Sequence, residues 1–453
     1  MPQHPTQAQT PATAPALNIS LTPLKPAIRT SGEGELEVLL RVQAPAVPGQ
    51  QVQRTPLSVA LVIDRSGSMR GECIEAAKAS ALDLVQRLHS QDEVCLVAYD
   101  TEIDVVLPLM PASQARDHIR SALGTFDARG GTDLHGGWLQ GAQQLAGRTG
   151  ADRMCRVILL SDGQANEGET RIHRICEQVA QLAQAGISTT TVGLGEGFNE
   201  ALMTAMAEAG QGNALYGDRA EDLAEPFDAE IGLLSHLAWR DVRLVHGSAT
   251  GKWRLLNDYS KTADGPWALP SIAEGSEAWA LFTVPMDSAA NAQRRSRQGM
   301  ALHVTVTARD AEGRAIEVKA SLPALPEVDE AAWASLSADA LVARRVAEVR
   351  SAQLQKKARA AVERGDWAEA ERLLKQVEQL AADQPWVMSM VAHLRELMQR
   401  RDRVRFGKEA MYAAHRMSTR ISETDEGVMF DATMELVKPA YLRRKAVQGR
   451  GQM

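Results

Sequence analysis

The sequence predicts an α/β protein: a doubly wound, mostly parallel sheet inserted in a β-sandwich and followed by a helical C-terminal region. Three observations carry this reading. Across residues 56–227 continuous apolar runs alternate with amphipathic stretches, which implies strands covered on both faces by helices. On either side, residues 17–55 and 228–325 hold short segments of alternating polarity, the pattern of strands with one wet face. Over residues 326–447 the apolar positions recur at helical spacing.

Residues 1–16 are rich in Pro, Thr, Ala and Gln and read as a disordered leader. They have neither the basic start nor the apolar centre of a signal peptide. Strands are expected at Leu17–Leu21 and Glu33–Val42, ended by the turn signals of Ala46–Gln51. So few strands cannot form a stable sheet alone. They are therefore expected to complete a sandwich with Trp239–Val245, Glu277–Val284 and Met300–Thr307, the α/β segment lying between the two halves. Within that segment the expected strands are Leu57–Ile63, Val94–Tyr99, Val105–Leu109, Arg156–Leu160, Ser188–Val192 and Ala214–Tyr216. The second and third form a hairpin, which makes one edge antiparallel. The first helix is read from Ile74, Ala77, Ala81, Val85 and Leu88. Others follow near Gln114–Gly124, Gly137–Ala146, Arg171–Ala185 and Glu200–Ala209. In the last region Arg359–Leu374 reads as helix, Gly-Asp turn, helix, and is similar to one tetratricopeptide unit. One such unit cannot bury a core, so a small helical bundle is expected, with Trp367 and Trp386 inside it. Residues 448–453 read as a frayed tail.

With 453 residues the chain is too long for a single core, and roughly two to four domains are expected. A formal charge of -7 and a pI near 5.9 oppose a chain built to bind nucleic acid. Basic residues outnumber acidic ones after Arg395, which is read as a solvated helical surface. The scattered Cys73, Cys95, Cys155 and Cys176 lack zinc-ligand spacing and are read as small buried thiols of a reducing compartment. Without an apolar stretch of about 18 residues no membrane insertion is expected. A cytoplasmic location follows from these signs, while nothing in the sequence fixes the oligomeric state.

The chemistry concentrates in three segments, two where strands of the α/β unit should end and one in the loop before a later helix. These are Asp64-Arg-Ser-Gly-Ser-Met69, Gly130-Gly-Thr-Asp133 and Ser161-Asp-Gly-Gln164. Ligands of open α/β sheets bind beyond the C-terminal ends of the strands, so all three can converge. Asp64 and Asp162 supply carboxylates, and Ser66, Ser68 and Thr132 supply hydroxyls. Such hard oxygen ligands suit Mg²⁺, Mn²⁺ or Ca²⁺ and not zinc. The spacing of Asp64, Ser66 and Ser68 places three side chains on one tight loop, and Gly67 lets the backbone pass close to the ion. Two carboxylates leave a divalent ion nearly neutral, with a position open to an incoming carboxylate if they act partly through water. Gly193-Leu-Gly-Glu-Gly197 lacks the order and the Lys of a phosphate loop and is set aside.

In order and approximate spacing, Asp64-x-Ser66-x-Ser68, Thr132 and Asp162 resemble the metal-ion-dependent adhesion site of the von Willebrand factor type A family. Thr191-Val-Gly-Leu-Gly195 and the stretch Leu202–Tyr216 are similar to that family as well, and the resemblance covers about Leu57 to Glu225. It implies a Rossmann-like domain in which Ser66, Ser68 and Thr132 coordinate the metal directly while Asp64 and Asp162 act mainly through water. The implied cofactor is Mg²⁺, with Mn²⁺ or Ca²⁺ as alternatives, and the implied partner is a protein offering an acidic residue. The flanking layout resembles bacterial relatives named after calcium-activated chloride channels, a name that carries no channel activity here.

The expected function is a non-enzymatic, cation-dependent scaffold or adaptor. The alternative is a substrate-recruiting partner of an AAA-type ATPase or of a kinase–phosphatase system. A Mg²⁺-dependent hydrolase is disfavoured because the three segments hold no His or Glu as a general base. His135 is read as a surface residue, Asp133 as a helix cap, and Asp100 and Asp104 as solvated turn acids. The run Arg294–Arg297 is read as a solvated basic loop.

Overall fold

The computed structural model describes residues 17–32, 34–44, 55–150, 153–195, 198–217, 237–247, 254–259, 261–262, 265–285, 302–310, 313–322, 325–419 and 422–423, together with Leu223, Phe227, Glu230, Ile231 and Leu234. The expected leader, the tail and the run Arg294–Arg297 lie outside them.

Three strands come first: β1 (Asn18–Pro23), β2 (Ile28–Arg29) and β3 (Glu35–Gln43). The α/β unit then runs β4 (Leu57–Asp64), α1 (Glu72–Arg87), β5 (Glu93–Tyr99), β6 (Ile103–Pro111), α2 (Ala112–Leu123), α3 (Leu134–Leu145), β7 (Met154–Ser161), α4 (Ile172–Gln184), β8 (Ile187–Leu194), α5 (Glu200–Ala209) and β9 (Ala214–Gly217). Its sheet has the order β6-β5-β4-β7-β8-β9, parallel except for the β5–β6 hairpin. The two-residue period of a strand explains the layering. Leu57, Val59, Leu61 and Ile63 of β4 join a core shared with α1 and α2. Ala60 and Val62 of the same strand point to a second core under α3, α4 and α5. Each Val, Leu or Ile so buried contributes about 1.5–3 kcal/mol. The chain leaves β4 toward β5 and returns to pair β7 on its other side. That reversal opens a crevice at the C-terminal end of β4, where the first candidate segment lies.

Helix α3 rides close to the sheet because glycines face it. A Cβ on Gly141 would stand 2.4 Å from Val62 Cγ2, and one on Gly137 the same 2.4 Å from the Tyr99 ring. Alanine at Gly141 gains about 1 kcal/mol of helix propensity. Overpacking typically costs about 1–3 kcal/mol, so the contact should win. We expect Gly141→Ala to lower the urea midpoint, whereas Gly147→Ala, where a Cβ meets nothing within 4 Å, leaves it unchanged. A neutral Gly141→Ala would show that the sheet yields.

The next strands are β10 (Leu237–Gly247), β11 (Arg254–Leu255), β12 (Trp267–Ala268), β13 (Ile272–Ala273), β14 (Ser276–Pro285), β15 (Leu302–Arg309), β16 (Ala315–Leu322) and β17 (Glu327–Val328). One antiparallel sheet has the order β1-β3-β14-β11 and a second the order β12-β10-β15-β16. Val38, Leu40 and Val42 of the first share a core with Trp239, Leu244 and Val306 of the second. Strand β3 pairs with β14 from Glu35↔Pro285 to Gln43↔Glu277. Segments on either side of the α/β unit in sequence therefore meet in one sheet.

Helices α6 (Glu330–Ser335), α7 (Ala340–Glu363), α8 (Trp367–Leu380), α9 (Pro385–Gln399) and α10 (Arg403–Thr419) follow, then β18 (Ser422–Glu423). Gly365, at φ 82°, ends α7, and the Asp366 carboxylate accepts the Glu369 N–H to start α8. Trp386 is buried in the helical core, while Trp367 is only half-buried against it. Among the described residues no helix is long and apolar enough to cross a membrane. All four cysteines are free thiols; Cys95 and Cys155 are buried, but Cys73 and Cys176 are only half-buried.

Candidate functional site

The site grows from the end of β4. Asp64 is its last residue and is fully buried. One carboxylate oxygen accepts the Ser66 N–H at 2.8 Å, and the other accepts the Ser161 hydroxyl of β7 at 2.5 Å. The chain then makes a single 3-10 turn over Gly67–Met69, anchored by buried Met69. That turn brings the Ser66 and Ser68 hydroxyls to 3.1 Å of each other. Two backbone bonds lace this loop to the second segment: Gly67 N–H to Gly130 O at 3.2 Å and Arg129 N–H to Arg65 O at 2.8 Å.

The loop just beyond the third segment holds Thr132 in place. The Asn166 side-chain oxygen accepts the Thr132 N–H at 2.8 Å, and Thr132 O accepts from Asn166 N–H and Glu167 N–H, each at 3.1 Å. Asp162 is fixed from behind, because its backbone oxygen accepts the Asn199 N–H at 2.8 Å. The turn after it needs glycine. Gly163 has φ 69°, and a Cβ there would crowd Asn199 N at 3.2 Å. Asp64, Ser66, Thr132 and Asp162 are all buried while Ser68 is exposed, so the donors form a pit with one hydroxyl at its mouth. The tertiary fold thus brings the three expected segments to one place.

Electrostatics single the pit out. Burial pushes the Asp64 carboxyl up to about 6, although bonds from Ser161 and Ser66 pull it back and the Asp162 charge adds to the rise. The Tyr99 phenol beneath is driven well above its ordinary value, by burial first and then by the Asp64 charge. Asp64 and Asp162 are held by hydrogen bonds, and among the described residues neither has a cationic side chain as partner. Two buried carboxylates without a counter-charge are costly, and a cation relieves that cost. The donor set fits one: every donor is a hard oxygen. Among the described residues no cluster of three His, Cys, Asp or Glu offers another such site.

One expectation fails. Asp100 is not a solvated turn acid but is 2 % exposed, accepting Arg65 Nε at 2.8 Å and Arg129 Nε at 2.9 Å. Burial alone would raise its pKa. The Glu102 N–H and the two guanidiniums outweigh burial and hold it below the usual carboxylate value. The cause is tertiary: Arg65 N–H donates to Tyr99 O at 2.8 Å, so the Arg65 side chain folds back onto the β5–β6 turn. Asp104 also receives Arg65 and stays half-exposed. Asp133 caps α3 by accepting the Gly136 N–H at 2.9 Å, and His135 bonds Gln178 at 2.9 Å. Sequence reasoning missed Ser161, Asn166 and the Arg65–Asp100–Arg129 lacing. Ser161 was within reach, since it precedes Asp162 at a strand end; Asn166 carries no local signal.

Comparison with known proteins gives three results. Residues 58–229 match the family model of the von Willebrand factor type A domain. An uncharacterized protein of Synechocystis is 27 % identical over 206 residues, or 46 % of this chain and 48 % of that protein. The chain thus aligns with about half the length of this relative. A solved von Willebrand factor type A structure from Catenulispora acidiphila superposes with a TM-score of 0.65 at 19 % identity, covering 84 % of this chain and 91 % of that one. The ArnB paralog VWA2 of Sulfolobus acidocaldarius gives 0.58 at 17 % identity, covering 89 % and 98 %. The α/β unit alone cannot supply such coverage, so the likeness of fold reaches into the flanking strands and helices. Residues 58–229 are thus similar to the von Willebrand factor type A domain in sequence pattern, and the two solved structures share the fold.

Proposed function

We propose that the pit holds a divalent cation, Mg²⁺ first among Mg²⁺, Mn²⁺ and Ca²⁺, and that this chain uses it to grip a carboxylate on a partner protein as a non-enzymatic scaffold or adaptor. The observation that carries this is the convergence of Asp64, Ser66, Ser68, Thr132 and Asp162 from three loops, with two buried carboxylates that have no cationic partner among the described residues. A protein-interaction or adhesion role is what a von Willebrand factor type A domain suggests. Asp64 and Asp162 supply negative charge, and the three hydroxyls supply neutral oxygens. When bound, the ion offers an electrophilic position to an incoming carboxylate. Ser161 orients Asp64, Asn166 fixes Thr132 and Asn199 fixes Asp162, so little reorganisation opposes binding. Exposed Ser68 marks the side of entry. One such contact is small, so partner choice rests on the surrounding surface.

The test is affinity capture from native lysate in Mg²⁺, Ca²⁺ and EDTA, using the wild type and Thr132→Ala. We expect a partner held in Mg²⁺, released by EDTA, and bound about tenfold more weakly by Thr132→Ala, or about 1.4 kcal/mol. Ca²⁺ should substitute poorly, because it prefers longer bonds and more ligands. Capture undiminished in EDTA rules the mechanism out.

A further inference from the structure

The helical region also contacts the residues around Asn199, whose backbone holds Asp162. Lys408 of α10 is 3 % exposed, and its ammonium donates to Gly195 O at 3.2 Å. The same ammonium stands 4.8 Å from the Phe198 ring centroid and 6.0 Å from that of Tyr216, two rings stacked at 5.0 Å. A buried ammonium between π-faces and a carbonyl is a strong local tie. A second cation lies beside it: Arg359 of α7 bonds Glu200, the first residue of α5, at 3.1 Å. Both side chains reach the same place on α10, since the Cβ position of Gly407 lies 3.7 Å from Glu200 Oε1 and 3.8 Å from Arg359 Nε. Phe198 adjoins Asn199, whose N–H bonds Asp162 O and whose side chain caps α5. Gly195, at φ 71°, lies so close to α1 that a Cβ would stand 2.6 Å from Cys73 Sγ. Gly195 and the residues Phe198–Glu200 therefore touch the helix after the Asp64 loop, the backbone of Asp162 and two cations of the helical region.

We infer that Lys408 and Arg359 are positioning residues for the cation site: the helical region clamps the Phe198–Glu200 turn and thereby holds Asp162 in its binding position. The inference rests on the cation reading given above, but the clamp is a property of the protein without metal. Anything that draws α10 away from α5 then weakens cation binding through Asn199, without touching a ligand.

The experiment uses the full chain with Lys408→Met, Lys408→Arg and Lys356→Met. The last breaks only the Lys356–Asp258 pair, which ties α7 to the sandwich side. Amide hydrogen exchange is measured in EDTA, and Mg²⁺ affinity by calorimetry. In Lys408→Met we expect exchange at Asn199–Met203 to quicken about tenfold and Mg²⁺ affinity to fall about tenfold. Lys408→Arg, which keeps the charge and the donor, should restore both, and Lys356→Met should alter neither. If Lys408→Met does not fold, Arg359→Gln is read in the same way. Wild-type exchange at Asn199–Met203 in a folded variant overturns the clamp. A wild type indifferent to Mg²⁺ overturns the cation reading instead, and exchange still decides the clamp.

Discussion

Asp64→Ala abolishes the Mg²⁺-dependent rise in unfolding temperature of the α/β unit. A ligand that binds only the native state stabilises it by about 2.7 kcal/mol at a hundred times its dissociation constant. That whole response should vanish, because Asp64 supplies one of the two charges in the pit and also orients the Ser66 backbone. Stability in EDTA should move far less. The substitution strands the Ser161 hydroxyl and the Ser66 N–H, each worth about 1–3 kcal/mol if left unpaired. It also removes a buried carboxylate whose ionised form burial disfavours, as its raised pKa records. These effects oppose each other. The measurement is calorimetric unfolding of wild type and variant in EDTA and in Mg²⁺, and a variant that keeps the full shift would place the metal elsewhere.

Arg345→Met should be strongly destabilising although it lies outside the pit. Arg345 of α7 is 1 % exposed and bonds Glu348 at 2.8 Å and Glu277 of β14 at 3.3 Å, with its guanidinium 4.6 Å from the Trp279 ring centroid. Removing one partner of a buried pair typically costs about 3–5 kcal/mol, because the remaining charge is stranded. Glu277 keeps Arg41 at 2.6 Å, whereas fully buried Glu348 is left, among the described residues, with Arg344 at 3.7 Å. A loss near the lower bound, about 3 kcal/mol, is therefore expected. Arg345→Met with Glu348→Leu should recover much of it, since an apolar pair of similar volume strands no charge. Urea unfolding followed by tryptophan fluorescence reads both variants, and a single variant within about 0.5 kcal/mol of wild type would mean that the pair is solvated.

Much of the α/β unit was legible in the sequence because its strands are buried on both faces. Leu57–Ile63 and Arg156–Leu160 lie within β4 and β7, and the Val94–Leu109 hairpin is the antiparallel edge. A buried parallel strand between amphipathic helices has few alternatives. The two carboxylate ligands were legible for a related reason: Asp64 ends β4 and Asp162 follows β7, and strand ends in such a sheet share one side, while Thr132 sits in the loop before α3. Asp100 was misread because adjacency to a turn says nothing of what folds over it. Only the backbone bond from Arg65 to Tyr99 decides that.

By itself the sequence determined the periods of the elements and the chemical class of the donors, since periodicity and side-chain chemistry are local. The tertiary structure alone decided that Ser161 holds Asp64, that Asn166 holds Thr132, and that Lys408 reaches the turn behind Asp162. Asp64 and Ser161 are 97 positions apart, and Lys408 and Gly195 are 213 apart. Contacts across such distances leave no periodic trace. They exist because burial of the strands and helices fixes where each loop end must stand.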